Sequence, residues 1–148
     1  MLTEVGADRI VPWTAARSQV SWTGDRGTKA LGRWRATVRE AAKQARRSWF
    51  PEVTELASTA DVVALLGSAA LAVVLHEEAD RPLAALSAPA TGAIALVVGP
   101  EGGLTPDEVA AFAAAGAHVV RLGPEVLRTS TAGLAAASAL LARTPRWA

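Results

Sequence analysis

Cysteine is absent from this sequence of 148 residues, and histidine occurs only twice. The first absence excludes disulfide frameworks, thiolate zinc sites and thiol nucleophiles, and two histidines are too few for a histidine-rich metal centre. No metal is therefore expected. Long apolar runs are also missing: stretches such as Leu71 to Leu75 and residues 93–98 are far short of the roughly 20 residues that a membrane-spanning helix needs. The first residues, Met1-Leu2-Thr3-Glu4, bring in an acid at once instead of a basic-then-apolar pattern, so neither a signal nor a transit peptide is read there. A thiol-free chain without a membrane span or leader is expected in the cytoplasm.

What is present describes one globular domain: 51% hydrophobic and 20% charged residues allow a real core, with no repeats. The net charge of +1 hides an asymmetry. Residues 26–47 hold eight basic side chains against Glu40 alone, a balance of +7, whereas from Ser48 onward five basic face ten acidic residues, or −5. Residues 9–13 and 19–22 read as short strands. Residues 28–49 form an amphipathic helix in which Trp34, Val38, Ala41, Ala45 and Trp49 recur at three- and four-residue steps, stopped by Pro51. Further on, residues 61–66 read as helix and 71–75, 93–98 and 118–122 as continuous apolar strands. Such strands are buried on both faces, which predicts an α/β fold with a mostly parallel sheet between helices. Thr105 as N-cap, Pro106 at the first helical position and Glu108 three residues on start a helix that Gly116 ends; a last helix covers residues 131–143, closed by Pro145.

Three loops directly follow buried strands, where ligands gather in open α/β sheets: Leu75-His76-Glu77, the glycine loop at 99–103, and Leu122-Gly123-Pro124 leading to Leu127-Arg128-Thr129. Three glycines in five residues let the backbone approach a ligand closely. A phosphate cradle is disfavoured, because neither G-x-x-x-x-G-K-[ST] nor G-x-G-x-x-G is present. The helix that follows also opens with Pro106, which lacks an N–H, and with Asp107 and Glu108 at the dipole end a phosphate would use. A nucleotide-type ligand that lacks phosphate and carries positive charge fits better. Taken alone, a ligand-free strand-to-helix turn explains the loop equally well.

The run Leu96-Val97-Val98-Gly99-Pro100-Glu101-Gly102-Gly103-Leu104-Thr105, paired with Leu122-Gly123-Pro124-Glu125-Val126-Leu127-Arg128-Thr129, resembles the double signature of the bacterial 16S rRNA (uridine-N3) methyltransferases. Glu40-Ala41-Ala42-Lys43-Gln44 with Arg47 and Pro51 is similar to that family's E-A-A-x-Q-x-x-R-x-x-x-P element, and Thr3-Glu4-Val5-Gly6 with Arg17-Ser18 is similar to its T-E-L-G and E-R-S segments. The likeness covers nearly the whole chain. It implies a SPOUT fold with a C-terminal deep trefoil knot, and S-adenosylmethionine (SAM) as cofactor. The cofactor would lie against Leu75, His76, Gly99, Pro100, Glu101, Gly102, Gly103, Leu122, Gly123, Leu127, Arg128 and Thr129, its adenine held largely by backbone groups and apolar side chains.

The implied reaction methylates N3 of a uridine in the 16S rRNA of the small ribosomal subunit, with a homodimer completing the site. Uracil N3 must lose its proton, and the charge that develops on the carbonyl oxygens needs a donor; Arg128 or Arg17 supplies it. Glu101 and His76 are the candidate bases, each with a bland alternative: Glu101 as a loop-holding side chain, His76 as packing or a strand cap. Arg35, Arg39, Lys43, Gln44 and Arg47 are expected to meet rRNA, although a solvated helix face is the usual reading of such a stripe. Trp34 and Trp49 are expected in the core, as, with less weight, are Trp13, Trp22 and Trp147.

Two departures from the family pattern stand out. The PUA-like N-terminal RNA-binding domain and the opening strand of the catalytic domain are expected to be absent, so residues 1–148 form the methyltransferase domain alone, as a fragment or from an internal start. The family's Leu-Arg-Thr-Glu-Thr also becomes Leu127-Arg128-Thr129-Ser130-Thr131. The rival readings are a catalytically weak or inactive SAM- or RNA-binding module and, less favoured, a plain α/β nucleotide-binding enzyme.

Overall fold

A computed structural model describes residues 1–19 and 21–147. A short helix α1 (Leu2–Val5) leads to strand β1 (Arg9–Ile10), the long helix α2 (Gly24–Gln44) and strand β2 (Glu52–Val53). Then follow α3 (Thr59–Ser68), β3 (Leu71–Leu75), a 3₁₀ turn (Leu83–Ala85), β4 (Ile94–Val97), α4 (Pro106–Ala114), β5 (His118–Val120) and α5 (Thr129–Leu141). All ladders among the described residues are parallel: β1 with β2, and β4-β3-β5 with β3 at the centre. The expected α/β class is the observed one.

The central strand explains why its sequence is apolar without alternation. Ala72 and Val74 pack with Val62 and Leu66 of α3 and Phe112 of α4, while Leu71 and Val73 pack with Ala136 and Leu140 of α5. Helices thus cover both faces, and every residue from Leu71 to Val74 is buried. Each such valine or leucine contributes about 1.5–3 kcal/mol by leaving water. Leu31 and Val38 of α2 form a third cluster with Val53 and Ile10, holding the long helix on the β1–β2 ladder.

Several expectations are corrected. The strand read over 9–13 is reduced to Arg9–Ile10 plus one parallel bridge from Trp13 to Ala57, and its partner β2 lies just after Pro51. No strand is assigned at Gln19, Ser21 or Trp22; Val20 lies outside the described residues. Helix α2 begins earlier than read. A Cβ on Gly27 would lie 2.8 Å from the Trp22 carbonyl, so the glycines before Thr28 belong to its first turns. It also ends sooner, at Gln44: the Arg46 N–H donates to Lys43 O and the Arg47 N–H to Ala42 O, a Schellman closure with Arg46 in the left-handed region at φ 53°. Trp49 therefore lies beyond the helix, 62% exposed, and Trp34 is 41% exposed, resting edge-to-face on Trp22. The apolar stripe instead runs through Ala30, Leu31, Val38 and Ala42.

Candidate functional site

Because β4, β3 and β5 are adjacent and parallel, the loops that leave them emerge at one edge of the sheet. This brings together Leu75 and His76, the glycine loop, and Leu122 with Gly123. The first turns of α5 join them: Gly133 leaves room for the Val98 side chain, which would lie 3.4 Å from an added Cβ, so Arg128 and Thr129, one turn earlier, stand beside the end of β4. Leu127 lies next to them and is partly buried. Arg128 is the N-cap of α5, accepting the Thr131 and Ala132 N–H groups on its backbone carbonyl. Its exposed guanidinium makes no hydrogen bond among the described residues. Ser130 is the second residue of α5, with no side-chain cap bond at that helix start.

The glycine loop has its own logic. The Gly103 N–H closes a turn on Pro100 O at 2.8 Å, with Gly103 at φ 72°, and Gly123 in the third loop takes φ 80°; both are conformations that glycine adopts without strain. Leu104 side-chain atoms would lie 3.1 and 3.2 Å from a Cβ on Gly99, and Arg17 Cβ and O 3.1 and 3.2 Å from one on Gly102. The latter contact shows how the Arg17 segment reaches the loop. Arg17 Nη1 also donates to Gly102 O at 3.2 Å, so its cation is seated on the glycine loop although 85 residues separate them.

Glu108 holds that arrangement. Its carboxylate is buried and accepts from the Ala16 N–H at 2.7 Å and from the Thr105 N–H at 2.8 Å, while Thr105 Oγ1 accepts the Glu108 N–H. The capping box was legible as T-x-x-E; the bond to Ala16, which pins the segment before Arg17, had no local signal. Glu108 is thus a positioning residue that sequence reading registered only as a cap.

The two candidate bases differ. His76 Nδ1 accepts the Glu78 N–H at 3.2 Å, which leaves the ring proton on Nε2 and presents a donor on that side. The Glu101 carboxylate is exposed, with no hydrogen bond among the described residues, so the loop is held by its backbone turn and not by this side chain. Glu101 and Pro100 border a cleft of about 220 Å³ lined also by Trp13, Gln19, Trp22 and Trp34. Trp13 is held there edge-to-face on buried Phe112, with ring centroids 5.7 Å apart.

The expected RNA-facing stripe is partly spent internally. Arg35 donates to Val53 O and pairs with Glu55 at 2.7 Å; Lys43 pairs with Glu40 at 2.7 Å; Arg39 lies 5.3 Å over the Phe50 ring. Arg47 is the clearest departure: its side chain is 10% exposed, and its guanidinium donates to Thr3 O at 3.0 Å, to Ala7 O and to Asp8 at 2.8 Å. It ties the end of α2 to the first residues and is not free to hold a phosphate. Gln44 is exposed. Arg26, Lys29 and Arg33, also exposed, form no ion pair among the described residues, so the positive surface of α2 lies nearer its start than expected.

Among the described residues no cluster of potential metal ligands is found and no helix is long and apolar enough to cross a membrane. What remains is an α/β domain whose candidate ligand loops converge on the carboxyl edge of a parallel sheet, with two guanidinium groups and an exposed, unbonded carboxylate around them. Residues 1–141 match the RNA methyltransferase domain family, and the chain belongs to it. It is 48% identical over 151 residues to the ribosomal RNA small subunit methyltransferase E of Mycobacterium tuberculosis, covering 99% of this chain and 58% of that protein. The Bacillus subtilis protein of the same name is 35% identical, covering 96% and 58%. The chain thus spans a little under three fifths of these relatives. Among solved structures, the Neisseria gonorrhoeae ribosomal RNA small subunit methyltransferase E bound to S-adenosyl methionine superposes with a TM-score of 0.81 at 32% identity, covering 94% of this chain and 56% of that one. A Legionella pneumophila methyltransferase in complex with bound SAM gives 0.87 at 29% identity, covering 96% and 58%.

Proposed function

We propose that this chain is the catalytic domain of a SAM-dependent methyltransferase acting on N3 of a uridine in the 16S rRNA of the small ribosomal subunit, in the cytoplasm and as a homodimer. The observation that carries the reading is the convergence of the glycine loop, the Leu122-Gly123 loop and Arg128 on one sheet edge, in a chain whose similar solved structures include two crystallised with SAM. The residues suit that cofactor. Gly103 and Gly123 at positive φ open the backbone to a flat ring, and the loop's following helix offers carboxylates instead of phosphate-binding N–H groups. The threading of α5 through a knot belongs to the same proposal.

The cofactor supplies an electrophilic methyl group. The chain's own task is to prepare the acceptor: as the N3 proton leaves, charge spreads to the uracil carbonyl oxygens, and the guanidinium groups of Arg17 and Arg128 stabilise it. Arg17 retains donors beyond the one spent on Gly102 O. Glu101, unpaired beside the tryptophan-lined cleft, takes the proton; His76, with Nδ1 occupied, donates from Nε2. Calorimetric titration should detect SAM binding, and tritiated methyl should pass to small subunits from cells that lack their own enzyme. No binding at millimolar SAM refutes the proposal, and binding without transfer reduces the chain to a SAM- and RNA-binding module. Arg128→Ala should abolish most transfer; full transfer by that variant would remove its electrostatic role.

A further inference from the structure

Away from the glycine loop, the end of α2 meets both ends of the chain around an open pocket of about 300 Å³, bordered by Arg46, Arg47, Trp49, Arg146 and Trp147, and by Glu4, whose carboxylate pairs with the Met1 amino group. Two features of its rim are unexpected. Trp49 and Trp147 are 62% and 46% exposed, the two most exposed indoles among the described residues. Arg46, at the residue that closes α2, has φ 53° and is, among the described residues, the sole side chain other than glycine with positive φ. Glycine or asparagine normally fills this position of a Schellman closure, and Lys43 already places a cation in the last turn for the helix dipole. Backbone strain of this kind is tolerated where the side chain is needed.

Three of the side chains that border the pocket converge on one carboxylate. Asp8 accepts from Arg146, Arg47 and the Trp49 indole N–H, the last at 3.3 Å, so the indole edge is anchored while much of its surface stays in water. Arg146 in turn lies against Gly6, whose missing side chain admits the guanidinium at 3.4 Å from where a Cβ would stand. Arg46 alone among these cations has no ion-pair partner among the described residues. An anchored indole, a second indole and a free guanidinium form a surface for a flat ring joined to an anion.

We infer that this pocket binds one unpaired nucleotide of the RNA substrate, its base stacked on Trp49 and Trp147 and its phosphate on Arg46. This rests on the reading that the chain acts on RNA, and adds a contact point that neither the glycine loop nor the α2 stripe supplies. Arg46→Gly separates the roles, because it relieves backbone strain while removing the charge. The melting temperature should rise by about 2 °C. Affinity for a short fluorescein-labelled single-stranded oligoribonucleotide, read by anisotropy, should fall about fivefold, and the slope of log K against log salt should shrink by about 0.7. Trp49→Ala should weaken binding roughly tenfold, with SAM affinity unchanged in both variants. Unchanged RNA affinity and salt slope in Arg46→Gly, or a lowered melting temperature, overturns the inference. So does a Trp49→Ala protein whose sedimentation mass falls while RNA binding stays intact, which would make the face an interface between copies. A wild-type chain that binds SAM but not the oligoribonucleotide overturns this site and the RNA half of the proposed function together, leaving the cofactor half standing.

Discussion

Replacing Glu108 by alanine tests whether one buried carboxylate couples the helix start to the ligand loops. Two losses are expected. The half of the capping box in which the carboxylate accepts the Thr105 N–H is broken, costing about 1 kcal/mol. The Ala16 N–H loses its acceptor in a partly buried setting, costing about 1 kcal/mol more. The total of about 2 kcal/mol corresponds to a fall in melting temperature of roughly 4–8 °C. Thr105→Ala removes only the cap and should cost about 1 kcal/mol. Urea denaturation followed by circular dichroism gives both values, and their difference isolates the bond to Ala16 from the cap. Glu108→Ala should also weaken SAM binding without touching the cofactor, because the segment that carries Arg17 onto Gly102 is released. If the two variants agree within about 0.5 kcal/mol, or if SAM affinity is unaffected, the carboxylate is a helix cap only and the coupling argument fails.

Gly102→Ala should leave the protein folded but raise the SAM dissociation constant, since the new methyl lies 3.1 Å from Arg17 Cβ and 3.2 Å from Arg17 O and must displace that turn; wild-type affinity by calorimetry would show that the turn yields freely. Phe112→Ala empties a site with 0% exposure beneath Trp13 and should cost 3–5 kcal/mol, measured by chemical denaturation; a loss under about 1 kcal/mol would contradict the close packing described. The Arg146 hydrogen bond, helped by those from Trp49 and Arg47, holds Asp8 below the ordinary carboxylate range despite the opposing effect of burial. A carboxylate whose pKa is lowered on folding stabilises the fold above its unfolded pKa and loses that contribution as pH falls through its folded value. Asp8→Asn should therefore melt lower than wild type at neutral pH, by a modest margin because the group is half exposed, and the two should converge below about pH 4. A gap that persists undiminished at low pH would show that charge is not its source.

Much of the fold was legible wherever local chemistry and burial agree. Leu71–Leu75 is apolar at every position because helices lie on both its faces, and Thr105-Pro106-Asp107-Glu108 starts a helix by contacts within four residues. The three ligand loops followed from the strands and needed only the parallel order to bring them together. Features that depend on distant partners were hidden. Arg47 keeps step with Arg35, Arg39 and Lys43 along the chain, yet its acceptors are Thr3, Ala7 and Asp8, which no periodicity can announce. Trp49 matched the helical spacing, but the chain leaves the helix at Arg46 by adopting a conformation that arginine seldom takes. The two-residue strand Glu52–Val53 exists through its pairing with Arg9–Ile10 and is too short to carry a pattern of its own.

The Asp8 carboxylate also bears on the order of assembly. It joins Arg47 across 39 residues and Arg146 across 138, whereas the closure of α2 spans only neighbouring residues. Loop closure costs grow with the logarithm of length, so the local cap can form as soon as the helix does, while the contact between the two ends must wait until the parallel strands have brought them near. By this measure the docking of residues 143–147 onto Asp8 is expected to follow its pairing with Arg47. Hydrogen exchange should find that corner among the first to open, which would set the two most exposed tryptophans on an edge that forms late and parts early.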